Sequence, residues 1–216
     1  MEFAGEFETH YTVCLDAGAM PEFTALREWG ASHGLKYLHI VLDRGETTSQ
    51  PMLTGRGHGT LSGERAKAEG IAGLLRSAGF RVNRVKIEAS PWNEDLPRND
   101  HEARTHPRER HWEHHVKLLL EPDTDVGALT AAAIRHGAHL SRNALKRRED
   151  GKQERFVTQR CFGVGRDRSV RELTALLATL EARQYMVLDV EEEFVVYDSA
   201  ITVDRGWLAG TGGDAR

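Results

Sequence analysis

Hydrophobic and polar positions alternate with a two-residue period over 7–14, so this stretch reads as a half-buried strand, and comparable runs occur at 36–43, 51–61 and 82–89. Between them the spacing becomes helical. Phe23, Leu26 and Trp29 recur on one face of 22–33, and Ile71, Leu74 and Leu75 on one face of 64–78, while Gly45 to Gln50 turns the chain. The order strand, helix, strand, strand, helix, strand then runs a second time. Strands are predicted near 111–120, 139–148, 153–162 and 185–197, and helices near 125–136 and 168–183, the last with Leu173, Leu176, Leu177 and Leu180 on one stripe.

The repetition extends to residue identity. Phe7-Glu8-Thr9-His10 and Trp112-Glu113-His114-His115 both set an aromatic before a Glu and a His two residues further on, at an offset of 105 (112 minus 7). Leu53-Thr54-Gly55-Arg56 matches Val157-Thr158-Gln159-Arg160 at 104 (157 minus 53), and Phe80 to Glu88 runs beside Tyr185 to Glu193 at 105 again (185 minus 80). A βαββαβ unit is the ferredoxin-like arrangement, with both helices on one face of a four-stranded antiparallel sheet. The sequence therefore predicts an α+β protein of tandem duplicated ferredoxin-like units at 1–90 and 111–207, joined by a polar linker at 91–110 and ending in a flexible tail at 208–216. The polar open faces of the two mostly antiparallel sheets would form a shared cavity.

Strand alternation names the residues on those open faces. With Phe7, Tyr11 and Val13 under the helices, Glu8, His10 and Thr12 are left open, joined by Met52, Thr54 and Arg56 and by Arg84, Lys86 and Glu88. The second half yields Glu113, His115 and Lys117, then Phe156, Thr158 and Arg160, then Asp189, Glu191 and Glu193. In this topology the first strand lies between the third and fourth, so a carboxylate, an imidazole, a hydroxyl and a guanidinium converge in each half. Such a set can bind a divalent cation, where oxygen ligands favour Mg²⁺ or Mn²⁺ and imidazole moves the preference toward Zn²⁺. The same pairs can work as general acid and base. Arg56, Lys117, Lys146, Arg147, Arg148 and Arg160 supply the positive charge that a phosphate or carboxylate requires.

Composition narrows the classes of function. The chain has 216 residues with 29 Lys+Arg against 33 Asp+Glu, a net charge of -4, which argues against general nucleic-acid binding. No run of about 18 apolar residues is present and the start, Met1 to Glu6, is acidic where a signal peptide is basic, so no membrane partner and a cytoplasmic location are expected. Cys14 and Cys161 carry no metal or redox spacing and read as reduced and structural. The histidines around the linker, His101, His106, His111 and His114, read as a polar solvated loop. The glycines of Thr54-Gly55-Arg56-Gly57-His58-Gly59 read as a bulge or a tight backbone approach within a strand. Trp29, Trp92, Trp112 and Trp207 read as core or lid residues.

Trp112-Glu113-His114-His115-Val116-Lys117, with Ala144 to Arg148, Phe156 to Arg160 and Val190 to Glu193, resembles the CYTH or triphosphate tunnel metalloenzymes over residues 112–198. That resemblance implies hydrolysis or transfer at a triphosphate with Mg²⁺ or Mn²⁺, with Glu113 and Glu193 on the metal and Lys117, Arg147 and Arg160 on phosphates. His115 stands where that family has the middle Glu of its opening motif. His10-Tyr11-Thr12 resembles the HxT element of the 2H phosphoesterases, and the set His10, Glu88, His115 and Glu193 resembles the metal ligands of the vicinal-oxygen-chelate group. The expectation is a metal-assisted enzyme acting on a small phosphorylated substrate, such as a polyphosphate or nucleotide. Glu8, His10, Glu113 and His115 would be catalytic, Thr54, Arg56, Lys117, Arg147, Thr158 and Arg160 would bind substrate, and Glu88, Glu113 and Glu193 would bind metal. A non-catalytic anion-binding or regulatory module and a metal-dependent lyase or isomerase are the alternatives, and a second copy of the chain is a candidate partner.

Overall fold

The computed structural model describes residues 1–15, 20–146 and 148–207; the expected tail at 208–216 lies outside them. The first half comprises β1 (Ala4–Cys14), α1 (Met20–Ser32), β2 (Lys36–Leu42), β3 (Ser49–Thr60), α2 (Leu61–Ser77) and β4 (Arg81–Ala89). A one-turn helix, α3 (Asp100–Ala103), interrupts the linker. The second half comprises β5 (His111–Leu120), α4 (Val126–Ile134), β6 (Ala138–Asn143), β7 (Gln153–Phe162), α5 (Arg166–Ala182) and β8 (Met186–Asp198), and a 3-10 turn, Ile201–Asp204, comes after them.

Each half has the ferredoxin-like strand order, and the sheets then join at both edges. β2 pairs with β6 and β4 with β8, so the eight antiparallel strands close into one barrel in the order β1-β3-β2-β6-β7-β5-β8-β4. Joining satisfies the edge N–H and C=O groups that two separate stacked sheets would leave unpaired. The helices pack outside, and the polar faces that the sequence predicts as open line the barrel's interior.

Local chemistry sets the elements. Thr60 caps α2 by accepting from the Gly63 N–H, and Asp125 caps α4 by accepting from the Ala128 N–H, interactions worth about 1 kcal/mol each. Leu26, Leu53, Leu75 and Ile87 pack beneath α1 and α2 in one core, which also takes Trp112 and Phe194 from the second half. Val116, Leu118, Leu129, Leu140, Val157 and Leu176 form the other core. Two expectations need correction. Leu74 faces solvent, because the buried stripe of α2 is Ala68, Ala72 and Leu75. β6 ends at Asn143 rather than near 148, since the Asn143 side chain accepts from the Leu145 N–H and its carbonyl from the Lys146 N–H, turning the chain.

The glycine run within β3 does permit close approach. A Cβ on Gly57 would fall 2.1 Å from a Glu64 carboxylate oxygen, and Glu64 is buried and accepts from the Thr9 hydroxyl. Of the tryptophans, Trp112 and Trp207 are buried, whereas Trp92 is 79% exposed with the Arg166 guanidinium over its ring, so it is neither core nor lid. Cys14 and Cys161 are both free, and burial pushes the Cys161 thiol up.

Candidate active site

The barrel encloses a cavity of about 570 Å³, within the range of small-molecule sites. Alternating residues from all eight strands line it. Glu8, His10 and Thr12 from β1 face Glu113, His115 and Lys117 from β5, with Glu191 and Glu193 supplied by β8.

At the centre the duplicated residues form matched triads. His10 Nδ1 lies 2.8 Å from the Thr54 hydroxyl and its Nε2 lies 2.5 Å from Glu88 Oε2. His115 Nδ1 lies 3.0 Å from the Thr158 hydroxyl and its Nε2 lies 3.5 Å from Glu193 Oε2. Strand register produces both, because His10 pairs with Thr54 and His115 with Thr158 across their ladders. The Thr54 and Thr158 hydroxyls, expected from the sequence to contact substrate, each meet a ring nitrogen.

Glu113 is the most heavily engaged carboxylate. Oε1 takes the Lys86 ammonium at 2.8 Å and His115 Nε2 at 3.2 Å, while Oε2 takes Arg160 Nε and His111 Nε2, the latter at 3.3 Å. Burial alone would raise its pKa, but the Arg160 and Lys86 charges hold it well below the ordinary carboxylate range. Both Glu113 oxygens are thus occupied, as are those of Glu88, whose Oε2 meets His10 Nε2 and whose Oε1 meets the Lys86 ammonium. Glu88 is likewise held low against its burial by Lys86 and His10. Burial would depress His115, yet the hydrogen bonds to Glu113 and Glu193 raise it to about 10, so its ring carries a proton at neutral pH. Glu193, unlike Glu88 and Glu113, is raised, by burial and the Glu88 charge.

One ligand atom each from Glu88, His115 and Glu193 lie within 4.8 Å of one another. Ligands on opposite sides of a divalent cation stand about 4–5 Å apart, twice a bond of about 2.0–2.6 Å, so the spacing suits such an ion, with His115 releasing its extra proton as the ion binds. Of the three metal ligands expected from the sequence, Glu88 and Glu193 belong to this group with His115, and Glu113 does not.

The ends of the barrel differ. At one, Arg56 Nε donates to Glu8 at 2.8 Å, Glu8 lies 3.9 Å from His10 Nε2, and Lys117 pairs with Glu154 at 2.9 Å. At the other, Arg160 and Arg84 converge on Asp204, which also accepts from Gln50 at 2.9 Å. Arg84 continues to Asp198, and Trp207 donates to the Leu140 carbonyl at 3.0 Å. The segment Ile201 to Trp207 thereby folds across this end. Sequence reasoning missed Asp198 and Asp204, which lie in or beyond the end of β8, where the duplication supplies no matching pattern. Arg147 lies outside the described residues.

The histidine-rich stretch is not a solvated loop. His111 and His114 sit on β5 and are buried, His111 facing Glu113 and His114 facing Gln159 and Ser169, while His106 stacks on Phe3. Burial lowers the pKa of all three. Only His101 of the four is exposed.

No family model and no curated protein matches the chain. Among solved structures, one provisionally assigned as a chlorite dismutase, TA0507, aligns over 91% of this chain and 96% of its own at 12% identity and a TM-score of 0.27. A Fusobacterium nucleatum protein provisionally assigned as a monooxygenase, FN1347, aligns over 90% and 94% at 9% identity and a TM-score of 0.28. Among the described residues no helix is long and apolar enough to cross a membrane.

Proposed function

We propose that this protein is a metal-assisted enzyme that hydrolyses or transfers a phosphoryl group of a small phosphorylated substrate, a polyphosphate or nucleotide, inside the barrel. The observation that carries this reading is the Glu88, His115 and Glu193 donor set inside a barrel whose cavity is also lined by Lys36, Arg56, Lys117 and Lys146. A closed barrel with glutamates and basic side chains on its inner wall also supports the resemblance to the triphosphate tunnel metalloenzymes.

Arg56 is 82% exposed and uses Nε for Glu8, so its two remaining prongs are free to grip a phosphate at the open end. Lys117 adds a second cationic contact, shared with Glu154. A divalent ion, Mg²⁺ or Mn²⁺ by its oxygen ligands or Zn²⁺ by its imidazole, would neutralise charge on the phosphoryl oxygens. Glu8 at the mouth takes the proton of the attacking water as oxygen bonds to phosphorus. The phosphorus–oxygen bond to the leaving group breaks, and the proton passes through the His10 ring to the departing oxygen. Glu113 keeps His115 in place throughout.

Two measurements test this. Elemental analysis and titration with Mg²⁺, Mn²⁺ and Zn²⁺ are expected to show about one ion per chain, lost in Glu193→Gln. A panel of phosphate esters and nucleotides is expected to show metal-dependent release of phosphate that falls about 100-fold or more in His10→Gln. Release absent with every metal ends the catalytic reading, and ligand binding without turnover would favour a non-catalytic anion-binding module instead.

A further inference from the structure

Arg84 and Arg160 are both almost fully buried, and they aim at a single oxygen. Arg84 Nη1 and Arg160 Nη2 each donate to Asp204 Oδ2 at 2.9 Å. Both guanidiniums line the central cavity, and Arg160 Nη1 is buried with no acceptor among the described residues. An unfilled donor on a buried cation is costly, and the Trp207 ring lies 5.4 Å from this guanidinium.

The rest of the cluster does not depend on Asp204. Arg84 is held from its other side by Asp198 at 2.9 and 2.6 Å, and Arg160 Nε is held by Glu113. Asp204 itself arrives on a short 3-10 turn after the last strand, secured by Gln50 and by the Trp207 indole on the Leu140 carbonyl. Withdrawing that turn leaves both guanidiniums in position with Arg84 Nη1 and Arg160 Nη2 deprived of the oxygen they share, a converging donor pair that suits a phosphate or carboxylate oxygen.

We infer that Arg84 and Arg160 form an anion subsite at the covered end of the barrel, and that Asp204 occupies it as a built-in competitor for the ligand's own anionic group. The subsite rests on the anionic-substrate part of the proposed function and adds its regulation. An anion that reaches Arg84 and Arg160 displaces the turn from Ile201 to Trp207, whereas one held by Arg56 and Lys117 at the open end leaves it in place.

Inorganic pyrophosphate is the probe. Calorimetric titration of the full-length protein is expected to show binding at least about tenfold tighter in Asp204→Asn than in wild type, since the neutral amide no longer competes for the two cations. In the wild type, saturating pyrophosphate is expected to shift tryptophan emission to the red as the buried Trp207 is released, a change absent from Trp207→Phe. Unchanged or weaker binding in a folded Asp204→Asn overturns the subsite. Should that variant not fold, the emission measurement decides, and no Trp207-dependent change overturns the inference. Metal-dependent turnover without the gain in affinity defeats the subsite alone, whereas failure of both proteins to bind pyrophosphate defeats it together with the anionic-substrate reading.

Discussion

Glu8 with Arg56 and Glu113 with Arg160 are the same ion pair written twice, paired across the same strands, and they do opposite things. Arg56 is 82% exposed at an open end, while the Arg160 side chain is 3% exposed and bound to two carboxylates. The antiparallel joining of β4 to β8 sends equivalent residues to opposite ends of the barrel, and only one end is covered by the segment that carries Asp204 and Trp207. Duplication fixes which side chains are present; the segment beyond β8 decides whether each meets water or a countercharge.

The largest expected effect breaks that symmetry directly. Arg160→Ala removes a buried cation from both Glu113 and Asp204 and is expected to cost about 3–5 kcal/mol in urea unfolding, against less than about 1 kcal/mol for Arg56→Ala. Equal costs would refute the contrast. Next, Glu193→Gln is expected to weaken Mn²⁺ binding at least about 100-fold, and Lys117→Ala to leave it within about threefold, since Lys117 touches none of the three donors.

The pH dependence comes third. The folded pKa of His115 is raised to about 10 against an ordinary value near 6.5, so its stabilisation is complete below about pH 6.5 and is lost as pH climbs through 10. His139 is depressed to about 4 by burial and the Arg44 charge, so its contribution is present above about pH 6.5 and is lost as pH falls through 4. Melting scans are expected to show His115→Gln abolishing roughly 3–6 °C of the alkaline decline while leaving the acid limb intact. Smallest are Thr54→Val and Thr158→Val, each removing one hydrogen bond to a ring at about 1 kcal/mol. Similar losses in the two would show that the triads remain equivalent despite their different surroundings.

The βαββαβ repeat and the inward residues were legible because a period of two assigns every strand residue to a face once its apolar set is known. Glu8, His10, Arg56, His115 and Glu193 were therefore placed correctly on the interior. The alternation does not record how far a charge is satisfied by partners on distant strands. Glu113 reads like Glu193 in one dimension, yet the Lys86, His111 and Arg160 contacts that surround it come from other strands or from its own strand's outer end. The burial of His114 was missed for a related reason: a histidine beside charged neighbours looks solvated until α5 is known to lie over it with Ser169 at 2.9 Å. Asp204 could not be reached by periodicity at all, since a 3-10 turn has no long pattern.

The two joints of the barrel are brief, Ile40–Leu42 against Ser141–Asn143 and Lys86–Ala89 against Phe194–Asp198. Each brings together equivalent strands running in opposite directions, which is the relation a twofold axis imposes. A polypeptide of half this length could build the same vessel by meeting its own twin, and fusing the twins into one chain is what allowed a single appendage to stopper one opening and spare the other.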